Sequence, residues 1–201
     1  MRLALFGGSF DPIHRGHLAI AVAAADAFDL DRVLFAPVGH QPLKPEGASA
    51  DFSDRLAMVT IACASDSRFV GSALDAPRAD NAPNYTVDTL AALAEDFPDA
   101  KLFVLTGADS FLELRRWRSP ERLLELAEWI VVSRPGSPLT EQQLASLELT
   151  EVERARIHLL TTVHEDVSAS GLRRRLADGE PSVGMLPPGV ESYIQTHGLY
   201  R

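Results

Sequence analysis

The chain has 201 residues, 46% of them apolar, which is enough for one sizeable core and ordinary for a globular protein. A formal net charge of −9 at pH 7 argues against broad contact with nucleic acid or an anionic membrane, since both call for a basic surface. Cys63 is the only cysteine, so an internal disulfide is excluded and the cytoplasm is the default compartment; its neighbours Ile61, Ala62 and Ala64 mark a buried thiol.

Met1-Arg2 and the apolar residues after it mimic the start of a secretion signal, but Gly7-Gly8 and Asp11-Pro12 break the run well before a full apolar core. No run approaches membrane-spanning length. Residues 3–6 read instead as a buried strand, and residues 18–28, rich in Ala and Leu, as a helix. A strand over 33–37 follows, then a loop over 40–50 with prolines and glycine, then a helix capped by Ser53-Asp54 and running to about Ala64. Residues 77–83 form a second loop, after which Thr86 caps a helix ending before Pro98. Strands over 101–105, 129–132 and 157–161 complete the apolar runs, with residues 140–156 predicted as one exposed amphipathic helix. A last helix begins near Ser170 and is ended by Gly179. The β-α-β-α order predicts a Rossmann-like, doubly wound α/β fold, with a mainly parallel sheet and helices on both faces. The segments at Gly7, Pro37, Gly107 and Arg134 each follow a strand and should converge where such sheets bind ligands, beyond the carboxyl ends of the strands. Residues 1–201 are expected to form a single domain, with 165–201 a small C-terminal helical part.

The strand-to-helix turn from Gly7 to His17 carries the densest chemistry. Glycines let the backbone approach a ligand, and the free N–H groups of a helix start attract an anion. His14 and His17 are three apart, so they share a face, and imidazoles can donate to phosphate oxygens and carry a proton at physiological pH. The turn lacks G-x-G-x-x-G and no G-K-[ST] follows it, which weakens a dinucleotide oxidoreductase and excludes an ordinary P-loop. A zinc site would need more ligands than the nearby Asp11 offers, so no protein-bound metal is expected.

A second cationic element lies late in the chain. Arg173-Arg174-Arg175 stands in the first turns of a helix, where the dipole disfavours each arginine by roughly 0.3–1 kcal/mol unless an anion offsets it. Ser170 and Arg173 share one face and can hold the same phosphate, whereas Arg174 and Arg175 read as a solvated basic face. Trp117, flanked by Arg116 and Arg118, suits either a partly buried core position or a ring stacked on a flat ligand. Trp129 lies in an apolar run and reads as core.

His14-Arg15-Gly16-His17 resembles the H-x-G-H signature of nucleotidyltransferases that move a nucleoside monophosphate onto a phosphate acceptor. Further segments occur in the order seen in the bacterial nicotinate mononucleotide adenylyltransferase family. They are Gly39 to Lys44, Asn84 to Leu90, Gly107 to Ser110, Trp117, Val132 to Gly136, Asp166 to Arg173, and an end reading Tyr193-Ile194 then Gly198 to Arg201. The resemblance spans nearly the whole chain. It implies ATP and nicotinate mononucleotide as substrates, with nicotinate adenine dinucleotide and pyrophosphate leaving. It assigns phosphate-charge stabilisation to His14, His17 and Arg173, further ATP contacts to Gly7, Gly8, Ser9, Phe10, Gly107, Asp109, Ser168 and Ser170, and the mononucleotide to Lys44, Tyr85, Thr86, Asp109, Trp117 and Arg134. An ordinary helix-cap role stays open for Thr86 and Asp109, and surface solvation for Lys44 and Arg134. The family's second phosphate element commonly reads Ile-Ser-Ser-Thr-x-x-Arg; Ala169 lacks the corresponding hydroxyl, so no side-chain role passes to it. Mg²⁺ is expected to be carried with ATP, since no carboxylate cluster marks a dedicated cage. A homo-oligomer is left open. Rival readings are a related transferase acting on phosphopantetheine or nicotinamide mononucleotide, and a non-catalytic nucleotide sensor.

Overall fold

A computed structural model describes residues 1–42, 47–133, 139–161 and 167–201. Six strands, β1 (Arg2–Gly8), β2 (Arg32–Pro37), β3 (Phe69–Gly71), β4 (Lys101–Gly107), β5 (Glu128–Val132) and β6 (Ile157–Leu160), form one sheet in the order β3-β2-β1-β4-β5-β6. Every pairing is parallel. Parallel strands need crossovers, and among the described residues these carry α1 (Arg15–Ala27), α2 (Phe52–Cys63), α3 (Thr86–Asp96), α4 (Ala108–Leu112), a 3₁₀ turn at Leu114–Arg116, α5 (Pro120–Leu126), α6 (Glu141–Ala145) and α7 (Glu151–Arg154). After β6 come α8 (Ala169–Ala177) and α9 (Pro188–His197). No described helix is long and apolar enough to cross a membrane.

The apolar runs are unbroken because each central strand is buried on both faces. Along β1, Ala4 and Phe6 join a core closed by α1, α2, α8 and α9, while Leu3 and Leu5 join the opposite core under α3, α5 and α6. Phe103 and Leu105 of β4 and Ile130 of β5 follow the first pair, and Leu102, Val104 and Trp129 follow the second. Trp129 is fully buried, as its apolar run predicts.

Strand order reverses between β1 and β4, and the register there opens a crevice. Their pairing ends at Phe6 with Leu105, while Gly7 and Gly8 continue along β2 and Thr106 and Gly107 continue along β5. Such a reversal is where open α/β sheets bind ligands.

Several elements depart from the sequence expectations. The three-residue β3 was not anticipated, being too short for a period-2 pattern. Residues 140–156 fold as two short helices rather than one, because each start has its own capping box. Thr140 Oγ1 accepts from the Gln143 N–H at 3.2 Å and Thr150 Oγ1 from the Glu153 N–H at 3.2 Å, and Glu148 between them turns to φ +49°. Asp51, not Ser53-Asp54, precedes α2, and Tyr85 precedes α3 with Thr86 as its first residue. Ser168 caps α8, accepting from the Gly171 N–H at 3.2 Å, and Gly179 follows that helix at φ +69° as read from the sequence. α9, whose bounds were not read within the helical part expected over 165–201, has Pro188 in its first turn and Gly198 at φ +62° after its last.

Gly39 ties the end of β2 to the loop before α3: its N–H donates to Asp75 O at 2.7 Å, and a Cβ there would lie 2.4 Å from the Pro77 nitrogen. Gly39→Ala is therefore expected to destabilise by about 1–3 kcal/mol, or roughly 3–10 °C in Tm. Thermal unfolding followed by circular dichroism measures this, and a parental Tm would show that the two loops separate freely.

Candidate active site

The crevice is lined on one side by the turn that joins β1 to α1. Phe10 takes φ +44° and is buried, with its ring 5.4 Å from Phe6 and 5.0 Å from His17. A side chain at Gly8 would meet that ring at 3.2 Å, so the glycine keeps the turn close to its own core. His14 precedes α1, and its backbone N–H donates to His17 Nδ1 at 3.2 Å. The accepting Nδ1 fixes the neutral tautomer of His17 with its proton on Nε2, which leaves an N–H donor for a ligand. The two imidazoles stack, centroids 3.7 Å apart and 27° from parallel.

Burial pushes His14 down to about 4 and, with the added effect of a charge on His14, holds His17 well below the ordinary histidine value. Both rings are therefore neutral at pH 7. Two stacked, desolvated imidazoles favour the uncharged form, and a nearby anion would reverse the balance.

Two arginines hold the turn by its carbonyls. Buried Arg55 donates from Nη1 to Ser9 O at 2.7 Å and Val38 O at 2.9 Å, and from Nε to Ala50 O at 3.1 Å. Arg173 Nη1, 162 positions further along the chain, donates to Asp11 O at 2.7 Å. The Asp11 carboxylate accepts from the Ser49 N–H at 2.6 Å, the Ala50 N–H at 3.1 Å and the Tyr200 hydroxyl at 2.7 Å. Burial lowers Arg55 while Asp11, Tyr200 and Asp51 pull it back up, so the cation is sustained by its neighbours. Burial and the bond to Asp11 raise Tyr200 far above its ordinary value, which keeps it a donor.

The early histidines and the late arginine thus meet, as the sequence argument requires. Ser168 and Ser170 lie exposed at the start of the same helix as Arg173. Gly107 and Asp109 stand across the crevice, at the end of β4 and in the first turn of α4. Arg174 is exposed as expected, but Arg175 is not merely solvated; it pairs with Glu180 at 3.4 Å and donates to Pro181 O. Lys44, Arg134 and Asp166 lie outside the described residues.

Tyr85 and Thr86 open α3, and the Tyr85 side chain does not cap its first N–H groups. The preceding Asn84 joins two loops, accepting from the His40 N–H at 2.9 Å and donating to Ala76 O at 2.9 Å. Trp117 packs edge-on against Trp129 at 5.7 Å and is half-buried, so its contacts fit the core reading while its open surface can still meet a ring. Arg118 lies 4.6 Å over the Tyr85 ring and joins the two aromatic elements.

Arg55, Tyr200 and the structural use of Asp11 escaped the sequence reading. An arginine among the apolar residues of α2 was the available signal for Arg55, whereas Asp11 was weighed only as a neighbour to a metal.

The family described as cytidylyltransferase-like matches residues 5–175. The chain is 42% identical over its full length, and that of the relative, to a Thermus thermophilus protein named "Probable nicotinate-nucleotide adenylyltransferase". This chain belongs to the cytidylyltransferase-like family, in its nicotinate-nucleotide adenylyltransferase branch. A Leifsonia xyli member of that branch is 40% identical, with 100% of this chain and 94% of the relative covered. Among solved structures, a Plasmodium falciparum nicotinic acid mononucleotide adenylyltransferase complexed with NaAD shares the fold at TM-score 0.78 and 19% identity, covering 99% of this chain and 97% of that one.

The lowered histidines carry a pH consequence for this family member. Between about pH 6.5 and 4 the unfolded chain binds protons that folded His14 refuses, so stability falls as pH drops through that window, by about 3 kcal/mol for His14 alone. His14→Asn keeps a polar side chain before α1 and removes this titration. Urea unfolding at pH 7 and pH 4.5 should show a smaller acid loss for the variant than for the parent, and equal losses would refute the burial account.

Proposed function

We propose that this protein transfers the adenylyl group of ATP to nicotinate mononucleotide, giving nicotinate adenine dinucleotide and pyrophosphate. The observation that carries this reading is the convergence of His14, His17 and Arg173 on one turn at the strand-order reversal. The names of the full-length relatives support it.

The mononucleotide phosphate is already ionised, so no protein nucleophile is required. One of its oxygens attacks the α-phosphorus of ATP, a P–O bond forms there, and the bond to pyrophosphate breaks with its electron pair leaving on pyrophosphate. Catalysis is then positioning and charge stabilisation. His17 donates through Nε2–H, Arg173 brings a permanent cation, and both histidines become easier to protonate as the triphosphate arrives. Backbone groups near Gly8 and Ser9 and the hydroxyls of Ser168 and Ser170 add donors, while Gly107 is assigned to ATP and Asp109 to ribose hydroxyls.

On the acceptor side, the first N–H groups of α3 suit a carboxylate, whereas a nicotinamide amide would set its own NH₂ against them. Tyr85, Thr86, Trp117, Lys44 and Arg134 are assigned to the mononucleotide. Mg²⁺ is taken to arrive on the triphosphate, whose oxygens are its ligands. The turn's single carboxylate, Asp11, is committed to two backbone N–H groups and a hydroxyl, and no group of three metal-holding side chains occurs among the described residues. A cytoplasmic location belongs to the same reading.

Mixing the protein with MgATP and nicotinate mononucleotide should release pyrophosphate and form the dinucleotide, with nicotinamide mononucleotide a poorer acceptor and phosphopantetheine none. His17→Ala should lower kcat by about 10²–10³-fold with the far-UV circular dichroism unchanged, the usual effect of losing one transition-state donor. A variant keeping more than a tenth of the parental rate would remove His17 from the mechanism.

A further inference from the structure

Tyr200 is the penultimate residue, yet its hydroxyl reaches 189 positions back to Asp11 Oδ1 at 2.7 Å. To do so the chain turns through φ +60° at Tyr200, a conformation that bulky residues adopt only when their surroundings impose it. The ring packs against the same core as Phe10 and Leu172, so the tail is seated as well as hydrogen-bonded.

At the other end of this contact, Asp11 is engaged on both its side chain and its main chain. Two backbone N–H groups from residues 49 and 50 and the Tyr200 hydroxyl hold the carboxylate, and Arg173 Nη1 docks on the carbonyl of the same residue at 2.7 Å. The guanidinium is also 3.8 Å from the carboxylate, and 32% of the Arg173 side chain is exposed. A carboxylate fixed by three donors cannot rotate without breaking them, and the carbonyl is fixed with it. Arg173 is long and flexible, and held this way it surrenders less freedom when a ligand binds.

We propose that Tyr200 and Asp11 are positioning residues for ATP: the Tyr200 hydroxyl fixes Asp11, and Asp11 presents the main-chain carbonyl that holds Arg173 ready for the triphosphate. The inference rests on the ATP site proposed above. It assigns the C-terminal tail a part in nucleotide affinity, with no contact between the tail and the substrate.

Tyr200→Phe keeps the packed ring and removes only the donor. In isothermal titration of MgATP and in steady-state kinetics, the variant should bind ATP roughly threefold to tenfold more weakly, the size of one hydrogen bond. Its KM for nicotinate mononucleotide should stay within twofold of the parent. In an Arg173→Ala background the same change should shift ATP affinity by less than twofold, because both substitutions remove one shared contribution. Asp11→Asn, which keeps the carbonyl, should weaken ATP in the same direction and serves where Tyr200→Phe does not fold. Parental ATP affinity in Tyr200→Phe, or an equal loss with and without Arg173, would overturn the inference alone. A parent protein that binds no MgATP would overturn the ATP reading along with it.

Discussion

A turn whose backbone N–H groups are left open at a helix start has little of its own to hold its shape. Here the shape is imposed through the carbonyls instead. Arg55 holds Ser9 O and Arg173 holds Asp11 O, each at 2.7 Å, so the loop from β1 to α1 is fastened on its acceptor side. Cations are suited to this work, since charge-assisted bonds to a carbonyl are stronger than neutral ones and leave the amide donors untouched. Arg55 can stay charged while buried because the carboxylates of Asp11 and Asp51 lie near it and its N–H groups meet carbonyls.

The same turn resolves an electrostatic problem in an acidic protein. A pair of charged histidines stacked at 3.7 Å would repel each other, and burial of both favours their neutral forms. Neutral His17 still donates from Nε2, because Nδ1 is satisfied by the His14 backbone. Positive charge at this turn therefore comes from the guanidinium groups of Arg55 and Arg173, while the histidines respond to a nearby anion.

The sheet was readable because β1, β2, β4 and β5 are buried on both faces and carry continuous apolar runs, and Ile157, Leu159 and Leu160 still marked β6 around His158; β3 was hidden by having only three residues. Gly179 and Gly198 both follow helices at positive φ, but only the first was read as a stop, since Pro187-Pro188 obscured the helix that the second one ends. At residues 140–156 leucine spacing argued for one helix, and two Thr-initiated capping boxes decided for two. In the site, His14, His17 and Arg173 stood out because cations beside turns and helix starts are unusual and have a recognisable chemistry. Arg55, Asp11 and Tyr200 did not, since a buried polar network joins residues 46, 162 and 189 positions apart and local pattern carries no trace of such pairings. The neutral state of the histidines was equally out of reach, as it depends on burial rather than on residue type.

The supports of the crevice come from widely separated parts of the chain, and this bears on cooperativity. β1 and β4 part at Phe6 and Leu105, so the ligand-facing edge is the place where the sheet itself stops supplying hydrogen bonds. What replaces them is side-chain contact from α2, α8 and the tail, all drawn to the three residues Ser9, Phe10 and Asp11. The Arg15 N–H adds a backbone bond to Met185 O at 2.9 Å, which ties the start of α1 to the segment between α8 and α9. Early synthesis of β1 therefore cannot by itself produce a shaped turn; residues at both ends of the sequence must be in place. A site assembled in this way is complete only when the whole domain is folded, and its geometry is as stable as the packing of α9 on α2 and of the tail on Asp11.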